Sequence, residues 1–264
     1  GVSFPSLNHG WIIGDEYWRD PVILHTRDAG KNWESQEMPQ LYFSNLSDLQ
    51  FVDTMNGWIA GPTLLLTHDG GVHWTEQDQY LNHFHFLDSL NGWGISRYWE
   101  DTTEIYHTLD GGYSWTRNYE FIGAGNDIHF LNPMSGCVAS DYGKILFTHN
   151  GGMDWFIKSS GGNSTGLEGI FCASENNMYA VGGTTDWGNL VLYTFNGGLS
   201  FESQTLDHPW PLTNIMFTNQ DTGWCTGYMG QLYQTTDAGN SWSDKIITGV
   251  YTEIYGISAL NGNM

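Results

Sequence analysis

Short runs of alternating apolar and polar residues recur along the chain, and each is followed by a turn that contains glycine. Examples are the runs Leu49 to Val52 and Ile128 to Leu131. Alternation with a period of two is typical of β-strands that bury one face. Two kinds of turn separate the runs: an Asn-Gly-Trp type, as at 56–58, and a Thr-x-Asp-Gly-Gly-x-x-Trp type, as at 67–74. Each unit therefore predicts four short strands joined by turn, loop and turn.

The longer turn occurs six times, and its Asp or Asn positions are Asp28, Asp69, Asp110, Asn150, Asn196 and Asp237. Successive copies are 41, 41, 40, 46 and 41 residues apart, and a period of this size indicates a repeat architecture. An Asp or Asn side chain in such a turn accepts hydrogen bonds from backbone N–H groups ahead of it, while glycine supplies a positive φ. We therefore predict a structural role for these six residues.

Four strands in about 40 residues are typical of a propeller blade. The repeat predicts an all-β propeller of six four-stranded blades in a single domain over 1–264, at about 1–40, 41–80, 81–121, 122–165, 166–211 and 212–250. Residues 251–264 repeat the first strand of a blade, and residues 1–10 supply another. Two interpretations stay open: a fragment of a longer chain that starts a seventh blade, which we favour, or a strand that closes a six-bladed ring.

These turns carry a resemblance to known repeat propellers. The Thr-x-Asp-x-Gly-x-x-Trp pattern at 67–74 resembles the Asp-box of bacterial neuraminidase repeats. Its alternation with the Asn-Gly-Trp turn at 56–58 is similar to the photosystem II assembly factor family Ycf48/Hcf136. The resemblance covers nearly the whole chain and implies a β-propeller that acts as a non-enzymatic scaffold docking onto a membrane-protein complex. That family's basic, arginine-rich surface is absent from this sequence, so the photosynthetic partner is not implied.

The charge balance narrows the choice of partners. The chain has 8 Lys and Arg against 29 Asp and Glu, a formal net charge of −21. Such a surface repels nucleic acid and anionic lipid, and the sequence contains no apolar run long enough to span a membrane. The remaining partners are a protein or a glycan. Low lysine content, abundant Asn, Gly, Thr and Trp, and the Asp-boxes suggest a secreted, periplasmic or cell-surface protein.

The cysteines suggest no special chemistry at this stage. Cys137, Cys172 and Cys225 lie in predicted strands without metal-ligand spacing. We expect each of them to be a small core residue, because free cysteine packs like a small hydrophobe. The odd number predicts no disulfide framework.

A candidate binding site comes from the first strand of each blade, which is innermost in a propeller. Aligned on their turns, the first strands open on a largely acidic column: Asp48, His83, Asp127, Glu168, Asn214 and Glu253. Charged side chains are rarely buried without partners, so this column is expected to be hydrated, cation-bound or facing a ligand. No cofactor is required, although oxygen-rich clusters of this kind suit Ca²⁺. The identity of any metal stays unknown.

Three loops between second and third strands are expected at the same end of the blades. Each carries a tryptophan near an acidic residue, and a fourth tryptophan lies in a linker there: Trp18, Trp99, Trp187 and Trp210. Exposed aromatic rings beside carboxylates suit sugar rings or extended peptides. The alternative is that these rings pack over the blade edges.

The sequence leaves enzymatic activity open but argues against a sialidase. That activity needs an arginine cluster to clamp a carboxylate, and the only arginines are Arg19, Arg27, Arg97 and Arg117, two of them in or just after an Asp-box. Another glycoside hydrolase would need two carboxylates about 5–9.5 Å apart, and Asp48, Asp127, Glu168 and Glu253 offer no distinguished pair. We favour a non-enzymatic binding or assembly scaffold, with an Asp-box glycoside hydrolase as the alternative.

Overall fold

The computed structural model describes residues 1–15, 21–39, 46–98, 102–159, 165–184, 188–245 and 253–259. Within these ranges, 24 strands form six four-stranded sheets in which strands consecutive in sequence are neighbours. The predicted all-β propeller of six four-stranded blades is confirmed. The described part of the chain contains a single helical segment, the 3-10 turn Tyr228–Gly230, and none of its helices is long and apolar enough to cross a membrane.

The chain consists of two compact units, Gly1–Arg97 with Glu104–Asn118, and Tyr98–Thr103 with Tyr119–Met264. The first blade consists of β1 (Val2–Ser3), β2 (Gly10–Asp15), β3 (Pro21–Thr26) and β4 (Glu34–Gln36). The second consists of β5 (Asp48–Phe51), β6 (Gly57–Ala60), β7 (Leu64–Thr67) and β8 (Thr75–Gln77). The third consists of β9 (His83–Phe86), β10 (Gly92–Tyr98), β11 (Thr102–Thr108) and β12 (Thr116–Ile122).

The remaining three blades belong to the second unit. The fourth consists of β13 (Gly125–Phe130), β14 (Gly136–Ser140), β15 (Lys144–Thr148) and β16 (Phe156–Ser159). The fifth consists of β17 (Thr165–Cys172), β18 (Met178–Thr184), β19 (Asn189–Thr194) and β20 (Glu202–Gln204). The sixth consists of β21 (Leu212–Phe217), β22 (Gly223–Gly227), β23 (Leu232–Thr235) and β24 (Ser243–Asp244).

The Asp-box turn is held by hydrogen bonds of its own side chains. In the second blade, the Thr67 hydroxyl donates to Asp69 Oδ1 over 2.9 Å and accepts from the Gly71 N–H over 2.9 Å. Asp69 Oδ1 also accepts from the His73 N–H. The same three bonds recur in all six turns. Threonine, acid or amide, and glycine are therefore required together, which explains the sequence pattern.

Inside a blade, an aromatic ring from the first strand covers the glycine that opens the second. A Cβ on Gly57 would lie 2.5 Å from the Phe51 ring, and the Asp-box Trp74 meets that ring edge-on with centroids 5.9 Å apart. Four other blades repeat the arrangement with Phe4, Phe86, Phe130 and Phe217. The glycine of the Asn-Gly-Trp turn is thus fixed by the lack of space for a side chain.

Neighbouring blades are joined by stacked rings. Trp11 of the first blade stacks on Phe51 of the second with centroids 3.7 Å apart. Tyr179 of the fifth blade stacks on Phe217 of the sixth at 4.2 Å. In each pair, a residue that follows the opening position of a second strand packs on the aromatic residue of the next blade's first strand. The repeat therefore places the same contact at more than one blade junction.

At the junction of the fourth and fifth blades, a disulfide replaces the stacked rings. Cys137 of β14 is bonded to Cys172 of β17, with Cα atoms 6.8 Å apart. The expectation that all three cysteines are separate core residues is therefore wrong for this pair, whereas Cys225 is buried and free. Cysteine spacing along the chain could not show the pairing, because the contact forms only when two blades pack together.

Candidate functional site

The predicted entry column begins with a carboxylate that bonds to two strands. Asp48 opens β5, and its Oδ1 accepts a hydrogen bond from the Leu49 N–H over 2.8 Å. Its Oδ2 accepts from the Phe84 N–H of the next blade over 3.1 Å, and His83 Nδ1 lies 3.7 Å from the same oxygen. Asp48 therefore links the first strands of the second and third blades, and ligand binding at Asp48 and His83 stays a prediction.

Asp127 repeats this geometry in the second unit. Its Oδ1 accepts from the Ile128 N–H and its Oδ2 from the Ile170 N–H of the following blade, each over 2.8 Å. Both oxygens of this carboxylate are thus held by backbone groups of two neighbouring first strands. A ligand at Asp127 would have to share the carboxylate with these bonds, so its binding role stays a prediction.

The position two residues further along the first strand makes a second link between blades. The Gln50 amide accepts from the Phe86 N–H over 2.7 Å and donates to the Phe86 carbonyl over 2.9 Å. In the second unit, His129 Nδ1 accepts from the Cys172 N–H over 3.3 Å. The polar side chains of the innermost strands therefore pair with the backbone of the next blade. The sequence analysis did not predict this role. Its signal in the sequence is the recurrence of a polar residue two positions after the entry column of the first strand.

The fifth blade departs from the predicted column by one residue. Leu167 pairs with Gly182 and Gly169 with Val181, which leaves Glu168 as the extra residue of a β-bulge. The column position is therefore taken by Gly169, and the alignment that placed Glu168 there is wrong. A Cβ on Gly169 would lie 2.9 Å from the Cα of Asn214, so the close approach of the sixth blade explains the glycine. Glu168 itself is exposed.

Near the start of β21, the chain segment 253–259 returns to the sixth blade. The Thr213 hydroxyl donates to the Ile254 carbonyl, and the Ile254 N–H donates to the Gly227 carbonyl over 3.1 Å. These bonds hold Ile254 against the blade, while Glu253 and Tyr255 on either side of it are exposed. The described residues 253–259 form no strand.

Acidic and aromatic side chains meet at this place. Partial burial, followed by the negative charge of Glu253, raises the pKa of the Tyr255 phenol, with further contributions from Tyr228 and Glu168. Trp210, of which 37% is exposed, precedes the proline whose carbonyl accepts the Tyr228 N–H over 3.2 Å. We name Glu168, Trp210, Tyr228, Glu253 and Tyr255 the entry-end cluster. Two carboxylates beside exposed rings can bind a cationic group.

Three predicted site residues lie outside the described part of the chain: Trp18, Trp99 and Trp187. Their grouping with the acidic column stays a prediction. Within the described ranges, no group of three or more His, Cys, Asp or Glu side chains is placed to hold a metal ion. Calcium binding remains a prediction from the sequence.

Four partly or fully buried histidines predict acid sensitivity. Burial, assisted by the charge of Arg27, lowers the pKa of His25 to about 4, and burial lowers that of His85 to about 4. Burial also lowers the pKa of His83 and His107. The unfolded chain takes up these protons near pH 6.5 and the folded chain at lower pH, near pH 4 for His25 and His85, so stability is expected to fall as the pH decreases across that window. Thermal melts between pH 7.5 and 4 measure the effect.

A variant tests the origin of this pH dependence. His85→Gln removes one group that the folded state cannot easily protonate, so its melting temperature should change less between pH 7 and pH 4.5 than that of the unmodified chain. A melting temperature that stays constant over that interval in the unmodified chain would contradict the prediction.

Comparison with known proteins agrees with the propeller fold. The family model described as photosynthesis system II assembly factor YCF48 matches residues 38–167, whereas no curated protein matches the sequence. A YCF48 structure with a bound D1 peptide has 19% identity and a TM-score of 0.74, and covers 97% of this chain and 84% of that chain. YCF48 from Cyanidioschyzon merolae has 16% identity and a TM-score of 0.66, with coverages of 92% and 83%.

An ancestral GH74 enzyme is also similar, with 12% identity and a TM-score of 0.74, and covers 94% of this chain and 38% of that chain. At these identities, likeness to a solved structure shows the fold alone, and one propeller scaffold carries many unrelated functions. The family model rests on sequence and points to the same proteins as the first two structures. The chain is therefore an Asp-box repeat β-propeller that resembles the YCF48 photosystem II assembly factors.

Proposed function

We propose that this chain is a non-enzymatic scaffold that binds a cationic segment of a partner protein at the entry-end cluster. The observation that carries the proposal is the exposure of Glu168, Glu253 and Tyr255, with both carboxylates close enough to contribute to the raised pKa of the Tyr255 phenol. A ring flanked by carboxylates binds a lysine or arginine side chain through cation–π attraction and ion pairing. The net charge of −21 would also steer a basic partner towards the surface.

The similarity to YCF48 supports a polypeptide partner over a glycan. One of the similar YCF48 structures holds a D1 peptide, so a propeller of this kind carries a peptide site in that protein. The acidic charge of the present chain favours a segment with lysine or arginine. The partner we propose is therefore defined by its positive charge and not by identity with D1.

The bonds of Asp48 and Asp127 favour binding over hydrolysis. A glycoside hydrolase needs one carboxylic acid that protonates the leaving group and a second carboxylate close by. Asp48 and Asp127 each accept two backbone hydrogen bonds, which commits them to joining blades. The likeness to a GH74 enzyme is one of fold alone.

We further propose that the protein works outside the cytosol, as a secreted, periplasmic or cell-surface protein. The disulfide between Cys137 and Cys172 supports this proposal, because disulfides persist in oxidising compartments and are rare in the cytosol.

Binding to arrays of immobilised peptides and glycans tests the proposed function. We expect retention of peptides rich in lysine or arginine, with affinity at least about tenfold lower for the Glu168→Gln/Glu253→Gln variant and for Tyr255→Ala. Glu37→Gln/Glu76→Gln removes the same charge from two exposed positions elsewhere and should bind like the unmodified chain.

The same arrays separate the alternatives. Loss of peptide binding only on changing Trp18, Trp99 and Trp187 to Ala would move the site to the tryptophan loops. Retention of a glycan without cleavage would indicate a lectin-like module, and release of shortened glycan would indicate a hydrolase. Each of these results would overturn the peptide site at the entry-end cluster.

A further inference from the structure

A second candidate surface lies on the turns that follow the first and third strands of the second and third blades. Five large apolar side chains are exposed there on the turns of the second and third blades, between 49% for Met55 and 69% for Leu109. We name them the turn-end patch: Met55, Val72, Leu90, Leu109 and Tyr113. Single exposed apolar residues are ordinary, but several on adjoining turns are characteristic of interaction sites.

Hydrogen bonds fix the turns that carry the patch, and one ring contact joins the turns of the two blades. Within each blade, a glycine N–H of the Asp-box donates to a patch residue: Gly70 to the Met55 carbonyl and Gly111 to the Leu90 carbonyl, each over 2.9 Å. Between the blades, the His68 ring stacks with Tyr113, with centroids 5.8 Å apart. All five patch residues belong to the first compact unit, so the patch lies entirely within that unit.

Carboxylates border the apolar side chains. Asp53 Oδ1 accepts the Met55 N–H and Asp88 Oδ1 accepts the Leu90 N–H, each over 2.7 Å. Burial opposes ionisation of both groups, but hydrogen bonds from Asn56 and Asn91 keep the pKa of Asp53 and Asp88 lowered. The patch therefore combines apolar area with fixed negative charge at neutral pH.

This combination selects the occupant. Binding of a second copy would bring together two chains that each have a net charge of −21. An anionic membrane would be repelled for the same reason. A partner that is apolar on one face and basic beside it satisfies both features. An amphipathic helix with Lys or Arg flanking its apolar face has this chemistry, and such helices bind to apolar protein surfaces.

We propose that the turn-end patch binds a basic amphipathic helix of a partner protein. The apolar face of the helix covers Met55, Leu90 and Tyr113, and its cationic side chains pair with Asp53 and Asp88. The turn-end patch shares no residue with the entry-end cluster, so this proposal does not depend on the function proposed for that cluster.

The test uses an 18-residue amphipathic peptide of Leu and Lys, with a matched peptide in which Glu replaces every Lys. The patch variant carries Met55→Ser, Val72→Ser, Leu90→Ser, Leu109→Ser and Tyr113→Ser, none of which changes a position of positive φ. Leu90→Ser/Leu109→Ser is a milder version in case the fivefold variant folds poorly. Met153→Ser/Leu199→Ser is the matched control, because both residues are exposed turn positions of the second unit.

We expect the unmodified chain to bind the Leu/Lys peptide and not the Leu/Glu peptide. Measured in the Glu168→Gln/Glu253→Gln background, which removes the site proposed for cationic peptides, the patch variant should bind at least about tenfold more weakly, while the control retains full affinity. Equal binding by the patch variant, or no binding by the unmodified chain, would overturn the proposal. Two other results would also overturn the proposal if the patch substitutions abolish them. One is self-association of the unmodified chain in sedimentation, and the other is its binding to neutral phosphatidylcholine vesicles instead of the peptide.

Discussion

Replacing Trp58 with alanine is expected to lower the free energy of unfolding by about 3–5 kcal/mol. The side chain is fully buried, and its ring stacks on Phe86 of the next blade with centroids 3.6 Å apart and planes 6° apart. The indole N–H also donates to the Gly111 carbonyl over 2.7 Å. The substitution therefore opens a cavity at a blade junction and leaves a buried carbonyl without this donor.

Two further variants divide this loss into its parts. Trp58→Phe keeps an aromatic ring on Phe86 but removes the donor to Gly111, so it should cost about 1–3 kcal/mol. Trp210→Ala removes a tryptophan that is 37% exposed and should cost less than about 1 kcal/mol. Denaturant unfolding followed by circular dichroism measures all three. A loss for Trp58→Ala no larger than that for Trp210→Ala would show that the stack does not stabilise the junction.

The fold could be predicted from the sequence because a propeller repeats its local pattern. Residues such as Thr67, Asp69 and Gly71 act within one turn, so their chemistry is readable without knowledge of distant contacts. The contact between Phe51 and Gly57 likewise lies within one blade. Repetition of these short-range requirements at a period of about 40 residues was enough to predict the six four-stranded blades, whereas the role of residues 251–264 stayed open between two interpretations.

The candidate site was less predictable, because its residues act between blades. Asp48 reads as a free acid in sequence, yet its partner is the backbone N–H of Phe84, 36 residues away. The one-residue error at Glu168 has a different cause. A β-bulge inserts a residue without disturbing the strand on either side of it, so apolar alternation alone could not show that Gly169 holds the column position.

The disulfide is informative because its two cysteines stand at positions that carry rings elsewhere. Cys137 follows Gly136 as Trp58 follows Gly57, and Cys172 stands in its first strand where Phe86 stands in the third blade. The covalent bond therefore replaces the ring stack of other junctions. Comparison of neighbouring repeats at these two positions is the signal that could have predicted the pairing.

Loss of this disulfide is expected to lower the free energy of unfolding by about 3–4 kcal/mol, because it closes a loop between residues 35 apart in sequence. Cys137→Ala/Cys172→Ala should show the loss, and dithiothreitol should lower the denaturant midpoint of the unmodified chain but not of this variant. Cys225→Ala is the control, since it removes a buried thiol that forms no disulfide.

Thiol titration in denaturant should find one free thiol before reduction and three after it. Three free thiols before reduction would contradict the pairing, and an unchanged midpoint in dithiothreitol would show that the bond adds no stability at this junction.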